Sequence, residues 1–195
     1  MFPTRNEAEA LLREAEACNP GPWGDHSRTA AHCAACIARR CGLDPDKAYV
    51  LGLLHDIGRR FGKRHLGHVA DGYAYMTRLG WDEPARVCLS HSFQGRSLDD
   101  YVGRRDTTPE ETALLRRELE RMEYDEYDRL IQLCDALAGA EGVLDVEARM
   151  EDVRRRYGFY PQSKWDANLA LLHRFERACG GASIYDVVGK AHFHP

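Results

Sequence analysis

The stretch Leu51–Gly58, with the sequence LGLLHDIG, is an apolar run that ends in an adjacent histidine and aspartate. Burying an imidazole beside a carboxylate is unfavourable by several kcal/mol unless a partner satisfies both groups. A divalent cation can satisfy both, because it binds neutral imidazole nitrogen as well as carboxylate oxygen. The stretch therefore predicts a buried helix that carries two metal ligands, His55 and Asp56.

Helical spacing indicates where further ligands lie. His26 precedes Ala30 and Cys33 by four and seven residues, so it continues the apolar face of a helix predicted over residues 24–41. Asp135 interrupts the apolar pattern of a later helix, predicted over 125–139. Together with the His-Asp pair, these residues give four inward-facing candidate ligands on three helices, which can converge on one cation.

The ends of the central helix follow from its flanking residues. Asp44 and Pro45 are typical of a helix N-terminus, and Gly58 is expected to end the helix. His55 and Asp56 would then occupy its last turn and face a cleft. Residues 93–108 are polar and charged, and we predict that they form a mobile loop that can act as a lid.

Helical periodicity and helix-ending signals recur along the chain, and no segment is typical of a strand. The predicted fold is all-α, a single helical domain over 1–195. Its metal-site core spans about 24–140, and C-terminal helices over 145–190 pack on that core. His192 and His194, near the C-terminus, are not expected in the site.

Composition restricts the class of protein. The net charge of −4 argues against an extended nucleic-acid-binding surface. No apolar run has the length of a membrane span, and the N-terminus lacks the pattern of a signal peptide. The seven cysteines are odd in number and irregularly spaced, which predicts reduced thiols and a cytoplasmic protein.

The order of these residues resembles that of a known family. A histidine, a His-Asp pair and a distant aspartate in an all-helical chain are similar to the HD superfamily of metal-dependent phosphohydrolases, and LLHDIG resembles its His-Asp-Ile-Gly variant. The likeness covers roughly residues 26–135. It implies a helical bundle of the HD-domain type, with His55 and Asp56 as catalytic residues and a metal-bound hydroxide that attacks phosphorus.

The binuclear subfamilies carry two additional histidines, and the resemblance implies that His68 and His91 are their counterparts. One metal would then be held by His26, His55 and Asp135. The other would be held by His68 and His91, with Asp56 bridging the two. The short interval after Asp56 makes His65 a rival to His68, which we favour because it begins a predicted helix. Two divalent ions are expected, and the sequence leaves open whether they are Fe, Mn, Mg, Co, Ni or Zn.

A basic loop follows the His-Asp pair. Arg59 stands where many members of the superfamily have lysine, and its guanidinium can bind phosphate through two parallel hydrogen bonds. We therefore predict that Arg59 binds substrate phosphate, with Arg60, Lys63 and Arg64 as weaker candidates.

The leading functional prediction is a metal-dependent phosphohydrolase acting on a phosphate ester or anhydride of a nucleotide or another small phosphorylated metabolite. The same ligand set is compatible with a mixed-valent di-iron oxygenase of the HD type, and also with a non-enzymatic nucleotide-binding HD protein. The sequence leaves the substrate open, and it leaves open whether the protein forms a homodimer.

Overall fold

The computed structural model describes residues 1–189, and His192 and His194 lie outside this range. The α-helices are α1 (Arg5–Cys18), α2 (Trp23–Cys41), α3 (Pro45–Leu54), α4 (Gly67–Arg78), α5 (Asp82–Ser90), α6 (Pro109–Arg121), α7 (Glu126–Leu137), α8 (Val146–Tyr157), α9 (Gln162–Ala178) and α10 (Ile184–Val188). Two short 3₁₀ helices cover Ile57–Phe61 and Leu98–Asp100. The two-residue strands β1 (Ala138–Gly139) and β2 (Gly142–Val143) pair in antiparallel fashion after α7. The all-α prediction is confirmed, although this small hairpin was not predicted.

Helix α3 is the central element of the fold. Its residues from Ala48 to Leu54 are all buried, as expected for a helix that is apolar on every side. Its N-terminus is capped by Asp44, whose carboxylate accepts hydrogen bonds from two backbone N–H groups of the first turn. A Cβ atom on Gly52 would lie 2.8 Å from Cα of Ala31, so this glycine allows α3 to pack closely against α2.

The end of α3 differs from the prediction. The α-helix ends at Leu54, and His55 and Asp56 connect it to the 3₁₀ helix Ile57–Phe61. The expectation that Gly58 ends the helix and that the His-Asp pair occupies its last turn was therefore wrong. Gly58 has a different role, because a Cβ there would lie 2.0 Å from the carbonyl oxygen of His68 in α4. Its missing side chain lets α4 approach the His-Asp pair.

The other predicted ligands are located at helix ends near α3. His26 lies in the first turn of α2, His68 in the first turn of α4, His91 directly after α5, and Asp135 in the last turn of α7. Helices α5 and α7 are joined by the buried carboxylate of Asp128 in α7. It accepts hydrogen bonds from Ser90 Oγ and Arg86 Nε of α5, each at 2.8 Å. This contact fixes His91 relative to Asp135.

The C-terminal helices share an apolar cluster with the helices that carry the ligands. Met150 of α8 and Phe175 of α9 are buried in one cluster with Ile37 of α2 and Leu133 of α7. Helices α8 and α9 are thereby held beside the end of α7 that carries Asp135. Within residues 1–189 no helix is both long and apolar enough to cross a membrane.

The segment 93–108 is better anchored than its polar sequence suggests. Phe93 and Leu98 are buried, and the carboxylate of Asp106 accepts hydrogen bonds from the backbone N–H groups of His65 and Gly67. These contacts join the segment to the basic loop that follows the His-Asp pair. Its mobility stays a prediction.

Candidate metal centre

Three of the predicted ligands form a first triad at the junction of α2, α3 and α7. His26 Nε2 lies 3.1 Å from Asp135 Oδ1, and His55 Nε2 lies 3.7 Å from the same oxygen. The two Nε2 atoms are 3.2 Å apart. Helical spacing thus brought three residues from distant parts of the chain to one point, as the sequence predicted.

A second triad lies next to it and is buried. His68 Nε2 lies 3.1 Å from Asp56 Oδ1, and His91 Nε2 lies 3.7 Å from this oxygen. The two Nε2 atoms are 3.4 Å apart. Three elements converge here, since Asp56 follows α3, His68 begins α4 and His91 follows α5.

Asp56 lies between the two triads. Its Oδ1 belongs to the second triad, whereas its Oδ2 is 4.0 Å from His55 Nε2 of the first. Arg59 Nε donates a hydrogen bond to Oδ2 at 2.5 Å. The carboxylate therefore faces histidines of both triads, as a bridging ligand would.

The backbone fixes the tautomers of the four histidines. In each ring Nδ1 lies within hydrogen-bonding distance of a backbone carbonyl oxygen, which can only accept, so Nδ1 must carry the proton. The oxygens belong to Ala138 for His26, Gly52 for His55, His65 for His68 and Cys88 for His91. In the neutral ring this leaves the Nε2 lone pair for a metal, with the backbone orienting the ring from behind.

The donor set fits divalent cations. Facing Nε2 lone pairs at 3.2 and 3.4 Å repel each other unless a cation lies between them. Each pair of nitrogens is close enough for one cation to bind both. Asp56 Oδ1 is also buried and makes no hydrogen bond, despite its short distance to His68. A cation bound in the second triad would satisfy this oxygen and the Nε2 lone pairs of His68 and His91.

The electrostatics favour charged carboxylates. Burial alone would raise the pKa of Asp56, but the neighbouring guanidinium of Arg59 holds it well below its usual value. The imidazole rings of His26 and His55, which lie against its Oδ1, likewise outweigh burial and keep the pKa of Asp135 low. Both aspartates are therefore ionised at neutral pH, as metal ligands must be.

The pKa values of His55 and His91 are shifted in opposite directions. Burial, together with the charge of His55, lowers the pKa of His91 to about 3, so its ring is neutral at pH 7. Burial alone would lower the pKa of His55 as well, but the carboxylates of Asp56 and Asp135 raise it. His91 is consequently available to a cation without releasing a proton.

Both triads open into a cavity of about 610 Å³, which is large enough for a nucleotide-sized ligand. Three of the candidates for phosphate binding, Arg59, Lys63 and Arg64, line this cavity, although Arg64 is also paired with Asp71 and Glu111. Arg60 was predicted among them, but the structure does not bring it into the cavity.

Arg60 is directed to the other side of the basic loop. Its guanidinium donates hydrogen bonds to Glu14 at 2.9 Å and to the hydroxyl of Tyr75. It also lies over the ring of Tyr75, at 4.5 Å from the centroid. These contacts join the loop to α1 and α4, so we remove Arg60 from the set of phosphate-binding candidates.

His65, the rival candidate, lies in neither triad. Its Nε2 accepts a hydrogen bond from Arg104 at 2.9 Å, and its ring lies against Tyr157. Its carbonyl oxygen orients the His68 ring. His68 and not His65 therefore belongs to the second triad, while the backbone of His65 orients the His68 ring.

Sequence reasoning missed the part of the cavity wall that α8 and α9 provide. Lys164, Tyr160 and Asn168 line the cavity together with Arg149 and Arg156. Arg156 belongs to a run of three arginines that is typical of an exposed helix face. Lys164 is preceded and followed by polar or aromatic residues with no recognisable motif, so only the tertiary structure reveals its position.

Comparison with known proteins identifies the family. The model of the HD domain matches residues 23–140, which is more than half of the chain and includes all six candidate ligands. The chain belongs to the HD domain family, a superfamily of metal-dependent phosphohydrolases. No curated protein and no solved structure matched the chain.

Proposed function

We propose that this protein is a phosphohydrolase that uses two divalent metal ions to cleave a phosphate ester or anhydride of a nucleotide or small phosphorylated metabolite. The observation that carries the proposal is the pair of His/Asp triads around Asp56, which open into one cavity. The cations lining this cavity outnumber its two carboxylates, Asp56 and Asp135. Such a cavity favours a small anionic substrate.

The residues have distinct roles in this proposal. His26, His55 and Asp135 would hold one ion, His68 and His91 the other, and Asp56 would contact both. When bound, two such ions lower the pKa of a coordinated water and neutralise the oxygens of a phosphoryl group. His55 and Asp56 are the residues on which this chemistry depends most, because they adjoin in sequence and fix the two ions relative to each other.

Arg59 supplies the positive charge nearest to the ligands. Its Nε donates to Asp56 Oδ2, which orients the guanidinium at the edge of the cavity. The remaining N–H groups of the guanidinium point away from this bond and can bind oxygens of a substrate phosphate. Lys63 is exposed on the cavity rim and would assist through its charge.

The direct test is release of orthophosphate or a phosphorylated product from a panel of nucleotides and phosphorylated metabolites. The panel is run with Mn²⁺, Fe²⁺, Mg²⁺, Co²⁺ and Ni²⁺ in turn, and Asp56→Ala serves as the inactive control. We expect turnover with at least one metal. Silence with every metal, in protein shown to contain the ion, would refute the proposal.

The di-iron oxygenase remains the alternative with the same ligands. It predicts two irons per chain and oxygen consumption with an organic substrate, so an oxygen electrode run on the same panel separates the two reactions. The excess of cations around the cavity favours phosphoryl chemistry. A non-enzymatic nucleotide-binding protein would bind panel members without converting them.

A further inference from the structure

Lys164, in the first turn of α9, is an unusual lysine. It is only 9% exposed, and it lines the same cavity as the two triads. Its ammonium donates one hydrogen bond, to the carbonyl oxygen of Ser92 at 2.6 Å. Among residues 1–189 no carboxylate forms an ion pair with this ammonium, which carries three donors, and the charges of Asp135 and Asp100 act on it only from farther away.

This position is unfavourable for a cation in two ways. Burial lowers the pKa of Lys164 to about 8, so the ammonium is still charged at pH 7 although it is poorly solvated. The first turn of a helix also carries the positive end of the helix dipole, which disfavours a lysine there. A charged side chain in such a place indicates that an anion is its intended partner.

The arginines that line the cavity have carboxylate partners. Arg59 is paired with Asp56, and Arg64 with Asp71 and Glu111. Arg149 and Arg156 both lie within 4.0 Å of Asp152. Among the described residues of the cavity, Lys164 is thus the buried cation that has no carboxylate in direct contact.

A second orphaned polar atom lies close to this lysine in the fold. Gln94, two residues after Ser92, lines the cavity, and its Oε1 is buried without a hydrogen-bond partner. Its Nε2 donates to Asn168 Oδ1 at 3.1 Å, one helical turn beyond Lys164 on α9. Asn168 in turn donates to the hydroxyl of Tyr160 at 2.9 Å. Polar side chains therefore line this wall of the cavity, and their capacity for hydrogen bonds is only partly used.

We propose that Lys164 binds a second, non-scissile phosphate, so that the substrate is a diphosphate or longer phosphoanhydride rather than a simple monophosphate. This inference rests on the proposed function, which assigns the scissile phosphate to the two triads and Arg59. Lys164 lies on a different element, outside the segment that matches the family model. It is a separate positive charge for a separate phosphate of the same substrate.

The test compares two anions on metal-reconstituted protein by calorimetry, at equal free Mg²⁺ in cell and syringe. The probes are orthophosphate and methylenediphosphonate, whose P–C–P bridge resists hydrolysis. We expect the wild type to bind the diphosphonate at least tenfold more tightly than orthophosphate. In Lys164→Gln, which keeps a donor for the Ser92 carbonyl but loses the charge, diphosphonate affinity should fall about tenfold and orthophosphate affinity less than twofold.

Two further variants make the comparison decisive. Lys164→Arg retains a charge and should recover most of the diphosphonate preference, whereas Lys47→Gln removes a lysine that lies away from the cavity and should change neither affinity. Equal losses for both anions, or no loss, would overturn the inference. If the wild type shows no preference for the diphosphonate, the inference is overturned even where the variants fail to fold. Because binding requires no turnover, a silent phosphate-release panel would refute the proposed function and leave this result standing.

Discussion

If Lys164 is kept for binding rather than for stability, replacing it should stabilise the metal-free protein. Burial lowers its pKa from the usual 10.5 to about 8. At 1.36 kcal/mol for each tenfold change in proton affinity, this corresponds to a penalty of roughly 3 kcal/mol at neutral pH. In Lys164→Met the penalty disappears, but the carbonyl of Ser92 loses its donor, which costs about 1–2 kcal/mol. We expect a net gain of about 1–2 kcal/mol at pH 7.

The pH dependence of this gain has a definite sign. Below pH 8 the lysine is protonated in both folded and unfolded states, so the full penalty applies. Between pH 8 and about 10.5 the folded protein has lost the proton that the unfolded chain still binds, and wild-type stability therefore rises with pH. The advantage of Lys164→Met should shrink across this window and then reverse, because only the lost hydrogen bond remains.

Urea unfolding of both proteins in the presence of a chelator, at pH 7 and at pH 9.5, measures this effect. Other groups also titrate in this range, so the informative quantity is the difference between the two proteins at each pH. A variant that is less stable than the wild type at pH 7 would refute the reasoning. If the free energy of unfolding changes equally with pH in the two proteins, the reasoning is also refuted. That result would mean that Lys164 is not poorly solvated in the folded state.

Three other substitutions test the arrangement around the ligands. Asp56→Ala should abolish turnover and lower the metal content by at least one ion per chain, measured by elemental analysis; unchanged content would exclude a bridging carboxylate. Gly58→Ala should destabilise the fold by about 3 kcal/mol or more in thermal unfolding, since its Cβ would meet backbone atoms of His68 and Gly72 at 2.0 and 2.5 Å. A free energy of unfolding within about 0.5 kcal/mol of the wild-type value would contradict that packing. His65→Gln should leave the metal content unchanged, because its ring lies in neither triad, and loss of an ion in this variant would restore His65 as a ligand.

The convergence of the ligands was predictable because it depends on helical periodicity. His26 and Asp135 interrupt apolar faces that must turn towards a core, and the apolar run before His55 requires burial whatever its partners are. Burial on three helices leaves few places for these side chains other than a common centre. The same reasoning could not show how closely they approach each other, since that depends on backbone packing.

The details that sequence reasoning missed depend on contacts between distant segments. Gly58 has the sequence context of a helix end, but it is required by the close approach of α4, which no local pattern records. Arg60 adjoins Arg59 in the chain, yet the 3₁₀ geometry turns the two guanidinium groups to opposite sides of the loop. Lys164 has the sequence environment of a solvated lysine, and its burial results from the packing of α9 beside the segment that follows His91.

These differences follow a division within the chain. The segment 23–140 contains every candidate metal ligand, and it is the part that resembles a known family. Helices α8 and α9 and the connection between them lie beyond it and contribute Arg149, Arg156, Tyr160 and Lys164 to the cavity wall. A family resemblance confined to the first segment can therefore indicate the chemistry while giving no information about the substrate. If the substrate is selected by α8 and α9, exchanging side chains there should change which phosphate compounds bind while both triads keep their metals.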